Sequence, residues 1–364
     1  MPANKYFIGQ MTGTSLDGLD SVLCQWHNNQ LRMLAGRSDE LPAQLRNQLL
    51  ALCTPGDNEI LRSQQAASAL ADCYAAAVQA LLKDACLEPS AITAIGCHGQ
   101  TVRHHPQDTI PFTLQLNNPA RLAELTGIDC IADFRSRDIA AGGQGAPLVP
   151  AFHAQWLGHV PDICILNMGG MANVSIPQGD TCLGFDTGPG NVLMDGWCTQ
   201  HTGQSYDKNG AWAAQGQVIP ALLQQMLQDP YFAQPAPKST GRERFNAHWL
   251  QTFQPEQYAA QDVQTTLCEL TALSICQALQ GFYLQTLVVC GGGAFNTYLL
   301  QRLQQHMPGI NIKSSADFGI APQFVEAAAF AWLAAQFDAR IPVPVHHATG
   351  ARGPRILGAL YPAG

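Results

Sequence analysis

Tyr6-Phe7-Ile8-Gly9-Gln10-Met11, then Thr12-Gly13-Thr14-Ser15-Leu16-Asp17-Gly18-Leu19-Asp20, then Ser21-Val22-Leu23-Cys24-Gln25-Trp26 is the stretch that decides the fold. Two β-type runs flank a polar loop, and Asp17-Gly18 is a hairpin signal in a loop longer than a two-residue turn. Leu31 to Ala35 adds a third strand after Asn28-Asn29. The order returns farther on. Asp162 to Asn167 reads as a strand, Met168-Gly169-Gly170 as a corner, Ala172 to Ile176 as the return strand and Thr181 to Phe185 as the third. Each hairpin opens a series of helices and strands. The first half continues with helices over about 42–53 and 60–86, strand Ala91 to Cys97, helix Pro119 to Thr126 and strand Ile128 to Ala132. After a helical Phe152 to Leu157, the second half has helices over about 190–202, 208–228 and 262–282, with a proline-rich connection around 229–240. Strand Leu287 to Cys290, helix Asn296 to Met307, strand Ile310 to Lys313 and the apolar helix Val325 to Gln336 complete it. Alternation of this kind implies mixed α/β domains. The division expected is 1–132 and 133–364, with the extreme C-terminus packing back on the first domain.

Composition narrows the function. The 364 residues suit two domains, and 46% hydrophobic residues suffice for large cores. Only 13% are charged, about half the usual ~25%; 35 glutamines replace them. A net charge of −8 without any basic run excludes a nucleic-acid footprint. No apolar run is long enough to span a membrane, and Met1 to Tyr6, without a charged region followed by an apolar core, leads to the expectation of no signal peptide. The 12 cysteines are dispersed, with no CxxC or zinc spacing. The expectation is a reduced, cytoplasmic enzyme with neither nucleic-acid nor membrane partners.

Three glycine corners could receive phosphate. In the first, backbone N–H groups of tight turns form an anion nest to which Thr12, Thr14 and Ser15 add hydroxyls. It lacks the GKS/GKT of a Walker loop and is not GxGxxG, so an ordinary hairpin turn is the competing reading. Gly169-Gly170 and Gly291-Gly292-Gly293 are the others; triple glycine after an apolar strand points to close backbone approach, and Asn296 is placed to cap the next helix. Asp186, at a strand end, fits a general base or a helix N-terminal carboxylate favoured by the dipole. Asp133-Phe134-Arg135-Ser136-Arg137-Asp138 fits an anion site or a solvated salt-bridge cluster. His98, Gln100 and Arg103 beyond a buried strand suit a polyhydroxy ligand. Glu326, the one charge opening an apolar helix, fits the helix dipole or a ligand-facing carboxylate.

Taken jointly, six segments resemble the anhydro-N-acetylmuramic acid kinase family: Met11 to Gly18, Gly96 to Thr101, Asp133 to Pro150, Asn167 to Asn173, Asp186 to Asn191 and Cys290 to Asn296. They keep the family's order over nearly the whole chain. The resemblance implies the two-domain actin-like ATPase (ribonuclease H-like) fold, with ATP in an interdomain cleft. It implies a homodimeric, Mg²⁺-dependent enzyme of cell-wall recycling that opens the 1,6-anhydro ring of an amino sugar with water and phosphorylates O6. By position, Asp186 resembles the base that activates the water. Thr12, Gly13, Thr14, Ser15, Leu16, Asp17 and Gly18 resemble the first phosphate loop, Gly169 and Gly170 the second, and Gly291, Gly292, Gly293 and Asn296 the nucleoside-side loop. Gln100, Arg135 and Glu326 are the sugar-side choices. Met11 stands where actin-like kinases generally carry aspartate, so no metal ligand is assigned; Thr12, Val325 and Asn117 are milder departures, where serine, methionine and glycine are usual. The rival readings are a plain hexose or amino-sugar kinase and a non-catalytic nucleotide-dependent regulator.

Overall fold

The computed structural model describes residues 4–364 apart from 14, 15, 17 and 180; the expected roles of Thr14, Ser15 and Asp17 lie outside the described residues. The strands are β1 Lys5–Thr12, β2 Leu19–His27, β3 Gln30–Asp39, β4 Ile92–Cys97, β5 Gln100–His105, β6 Phe112–Leu116 and β7 Cys130–Ala132. They continue as β8 Ile163–Met168, β9 Met171–Gln178, β10 Thr181–Pro189, β11 Thr286–Cys290, β12 Asn311–Ser314 and β13 Ala359–Tyr361. The chain forms two compact units, Met1–Trp156 with Phe324–Gly364, and Leu157–Gln323.

In the first unit the sheet order is β3-β2-β1-β4-β7-β13. β1, β2 and β3 are antiparallel neighbours, β4 and β7 run parallel to β1, and β13 is antiparallel on the edge. The second unit repeats the pattern as β10-β9-β8-β11-β12, an antiparallel meander followed by two parallel strands. Each unit is thus a ribonuclease H-like sheet, and the chain has the two-domain actin-like ATPase fold. Among the described residues, no helix is long and apolar enough to cross a membrane.

The two faces of β1 show how the first unit is packed. Side chains alternate across a strand, so Ile8, Gln10 and Thr12 share one face. There the Gln10 Nε2 donates to the Tyr74 carbonyl at 3.0 Å, and the Thr12 and Tyr74 hydroxyls bond, both on the helix Glu59–Ala85. The opposite face receives the helix Val325–Asp338, almost wholly buried because it is apolar all round. It lies so close that a Cβ on Gly9 would sit 1.9 Å from the Ala327 carbonyl oxygen, and one on Gly96 2.1 Å from that of Phe330.

That helix also moves the boundary away from 132/133. Residues 133–156 stay with the first unit because they are tied to the C-terminal segment: the Gln144 N–H donates to the Thr349 carbonyl at 2.9 Å, and the Arg352 N–H to that of Ala141 at 3.0 Å. The C-terminus packs on β7 of the same unit through β13. Helix Pro119–Thr126 begins as expected, with the Asn118 side chain accepting from the Arg121 N–H. The expected helix 208–228 is broken instead. Asn209 and Gly210 have positive φ and Pro220 starts a fresh helix, so only Pro220–Leu227 is α-helical there, after two short 3-10 turns.

Candidate active site

Asp186 lies within β10, which continues past the expected end at Phe185 to Pro189 with a bulge between Asp186 and Gly188. The helix behind it starts only at Val192, with Asp195 in its first turn, so the helix-dipole reading of Asp186 does not hold. A strap of irregular chain grips the residue. The Thr240 N–H and the Ser239 hydroxyl donate to Oδ2 at 2.9 and 3.2 Å. The Asp186 N–H donates to the Lys238 carbonyl at 2.9 Å, and the Tyr231 hydroxyl donates to the Asp186 carbonyl at 2.7 Å. Burial raises the carboxyl above the ordinary aspartate range; the Thr240 and Ser239 donors pull it back, and Glu243 adds to the rise. A fixed carboxylate of raised basicity is what a general base requires.

The strap is itself anchored. Asp229 accepts from the Tyr231 N–H at 2.9 Å and the Trp249 indole at 2.8 Å, and pairs with Arg244. Lys238 Nζ donates to the Tyr231 and Phe232 carbonyls at 3.0 and 3.1 Å.

Three loops of the second unit converge at the ends of β8 and β11. The N–H groups of Gly190 and Asn191 donate to the Gly170 and Gly169 carbonyls at 2.9 and 2.8 Å, and the Asn191 amide donates to the Met168 carbonyl at 3.1 Å. Gly190, Gly291 and Gly293 are needed for this convergence. A Cβ on them would lie 2.3 Å from the Gly169 carbonyl, 2.4 Å from Asn167 Oδ1 and 2.6 Å from the Met168 Cβ. Gly169, Gly170 and Gly292 are different: a Cβ there would meet nothing nearer than 3.7, 3.4 and 3.6 Å, at ordinary φ. At these three the backbone is left open and the fold would accept a side chain. Asn296 caps the helix Thr297–His306 by accepting from the Leu299 N–H at 3.0 Å.

In the first unit, Gly13 accepts from the Leu16 N–H at 3.0 Å, and Leu16 turns through φ 56° with its side chain buried; Gly18 follows, opening β2. Strand alternation turns the Thr12 hydroxyl onto the Tyr74 hydroxyl, and the two share a hydrogen bond. Arg135 and Glu326 are brought together as opposite charges. Arg135 Nε donates to His98 Nε2 at 2.9 Å and Nη1 to the Gly145 carbonyl at 2.8 Å. Burial lowers the guanidinium to about 10, and Glu326 and Asp138 oppose that shift, so it stays cationic. With Nε2 accepting, His98 carries its proton on Nδ1, which donates to the Gly99 carbonyl at 2.8 Å. Burial and then the Arg135 charge keep His98 neutral. Gln100 is buried, its Nε2 on the Thr101 carbonyl and its Oε1 unpartnered.

The cluster Asp133 to Asp138 is not a uniformly solvated salt-bridge patch. Asp138 is wholly buried and accepts from the Gly145 N–H and the Thr349 hydroxyl at 2.7 and 2.8 Å, a structural tie. Asp133 accepts from Ser136.

The sequence profile described as anhydro-N-acetylmuramic acid kinase matches residues 5–363. The chain belongs to the anhydro-N-acetylmuramic acid kinase family. An anhydro-N-acetylmuramic acid kinase of Variovorax paradoxus (strain S110) is 50% identical over 375 residues, covering 99% of this chain and 100% of that one. Another, of Albidiferax ferrireducens (strain ATCC BAA-621 / DSM 15236 / T118), is 52% identical over 387 residues, 98% of this chain and 99% of that one. Among solved structures, a ROK family glucokinase from Streptomyces griseus in complex with glucose and AMPPNP aligns over 91% of this chain and 99% of that one, at 13% identity and a TM-score of 0.41.

For this member of the kinase family, sequence reasoning missed the strap. Residues 229–240 have no periodicity and were read as a connection; the signal available was Lys238-Ser239-Thr240, three donors together in a chain poor in charge. The neutral His98 was placed among ligand-facing groups, but both its nitrogens are engaged, which makes it the support of Arg135.

Proposed function

We propose that the chain is an ATP-dependent kinase of 1,6-anhydro-N-acetylmuramic acid that opens the anhydro ring with water and phosphorylates O6. The observation that carries this is the Asp186 carboxylate: raised in basicity by burial and held through Oδ2 on a rigid strand. Water attacks the anomeric carbon as Asp186 takes its proton; the C1–O6 bond breaks with its electron pair on O6. O6 then attacks the γ-phosphorus and the bond to the bridging oxygen breaks, so that sugar, water and ATP yield N-acetylmuramate 6-phosphate, ADP and a proton. Phosphoryl transfer needs charge cradling and in-line placement more than covalent chemistry. In the second unit the open glycines Gly169, Gly170 and Gly292 and the capped Asn296 support such a cradle; in the first unit the Gly13–Leu16 turn supports an anion loop of its own. Arg135, steadied by His98, supports the sugar carboxylate, and Glu326 and Gln100 its polar groups.

Among the described residues no group of three or more His, Cys, Asp or Glu could hold a metal ion. On this reading Mg²⁺ would arrive on the phosphates of ATP, with few protein ligands, and would supply charge neutralisation there. The resemblance further supports a cytoplasmic homodimer acting in cell-wall recycling.

The test is ADP release with the anhydro sugar, with N-acetylmuramate as the comparison and product mass showing whether water is incorporated. Asp186→Asn should cut turnover by roughly a thousandfold or more, as expected of a general base that also positions its nucleophile, while ATP still binds. Because the raised carboxyl disfavours its ionised form in the folded state, the variant should unfold no lower than the parent at neutral pH. Near-normal turnover removes Asp186 as the base, and ordinary N-acetylmuramate turning over equally well removes the ring-opening reading.

A further inference from the structure

We propose that Arg242 contacts the terminal phosphate of the nucleotide, so that one strap both aims the base and neutralises the group being transferred. This rests on the function proposed above and adds to it a residue that neither the glycine motifs nor Asp186 imply.

The strap bonds Asp186 through Ser239 and Thr240. Two residues on, it brings the Arg242 guanidinium to the Gly169-Gly170 corner: a Cβ on Gly170 would sit 3.4 Å from its Nη2, 3.6 Å from its Nε and 3.9 Å from its Cζ. Both nitrogens that could form a fork therefore border the open glycine. The two arginines of the strap have different lots. Arg244 is paired with Asp229, whereas Arg242 is exposed and in no ion pair among the described residues. The strap cannot drift, because Asp229 ties it to the Trp249 indole and Asp186 ties it to β10. A planar guanidinium beside a backbone corner without side chains matches the bidentate recognition of a phosphoryl group. In a chain of net charge −8, such a cation also offsets repulsion of a tetra-anionic nucleotide.

Arg242 is assigned to the phosphate that ADP lacks, so ATP and ADP should respond differently to its loss. Dissociation constants for both, measured by calorimetry on the full chain without sugar, should show Arg242→Ala weakening ATP roughly tenfold or more and ADP less than about twofold. Arg242→Lys should recover part of the ATP affinity, since a point charge keeps attraction without the fork. Thermal unfolding should be unchanged, because the side chain is exposed; were the alanine variant to misfold, Arg242→Gln gives the same ratio. Equal weakening of ATP and ADP, or none, overturns the assignment. Absence of ATP binding by the parent chain overturns it together with the kinase reading. A selective loss for ATP in a chain that releases no ADP with the anhydro sugar leaves Arg242 assigned and removes the sugar.

Discussion

The two units share one sheet order and spend their glycines differently. In the first, Gly9 and Gly96 lie within strands and let a helix rest on the sheet with its carbonyls almost touching them. In the second, the glycines stand past the strand ends, where Gly190, Gly291 and Gly293 let three loops meet and Gly169, Gly170 and Gly292 leave backbone open. The same residue thus serves close packing at Gly9, Gly96, Gly190, Gly291 and Gly293, and leaves backbone open at Gly169, Gly170 and Gly292. What separates the uses is what a Cβ would strike.

The largest effect should come from breaking the packing use. Gly96→Ala places a Cβ 2.1 Å from a helix carbonyl oxygen and 2.9 Å from its carbon. Alanine narrows the unfolded ensemble by ~0.4–1 kcal/mol, but overpacking against backbone costs about 3 kcal/mol, so the clash wins. Denaturant unfolding should show that loss. A change below about 1 kcal/mol would mean that the helix can shift on the sheet.

How far the sequence reveals this architecture depends on the range of the interactions. Strands β1, β8 and β11 and the Asn118-capped helix are written in local runs and caps, and they form where expected. The glycine corners are equally local. Hairpin β5–β6 was not anticipated, because Gln100 to Arg103 reads as a polar loop and becomes a strand only by pairing with Phe112–Leu116. The strap is more distant still. Tyr231 and Thr240 meet Asp186 across 45 and 54 residues, and nothing periodic marks such a contact. Thr12 is legible only in part for a third reason: strand parity brings its hydroxyl to that of Tyr74, 62 residues away, which no local run announces.

Ion pairs sharpen the contrast between the units. In the second, Glu269 is 6% exposed and receives Arg302 Nε and Nη2 at 2.6 and 2.9 Å and His306 at 2.7 Å. In the first, Arg121 and Asp72 meet at 2.7 Å but stay 46% and 49% exposed. Arg302→Ala should cost about 2 kcal/mol, below the usual 3–5 for a broken buried pair because Arg302 itself is partly exposed. Arg121→Ala should cost a few tenths. Burial pushes the Glu269 carboxyl up, but the bonds from Arg302 and His306 outweigh it and hold it below the ordinary range. Its stabilisation is therefore present above the unfolded glutamate pKa of about 4.3 and lost as pH falls through the lower folded value. The gap between parent and Arg302→Ala should narrow on acidification below about pH 4. A gap independent of pH would assign the loss to packing of the arginine stem.

The smallest effect is the most discriminating, because it asks a glycine to matter where the fold does not need it. Gly169→Ala adds a methyl that meets only the Met171 carbonyl oxygen, at 3.7 Å, and its φ lies outside the left-handed region. Stability should stay within about 0.5 kcal/mol of the parent. If phosphate lies against that backbone, the methyl occupies the approach, and KM for ATP should rise roughly tenfold, a loss of about one good hydrogen bond. Gly190→Ala, which would strike a carbonyl at 2.3 Å, should lose stability as well as affinity, because there the fold has a claim on the missing side chain. An unaltered KM in Gly169→Ala would reduce the corner to a turn and leave the nucleotide without its second cradle. A raised KM at parental stability would identify a glycine kept for its ligand.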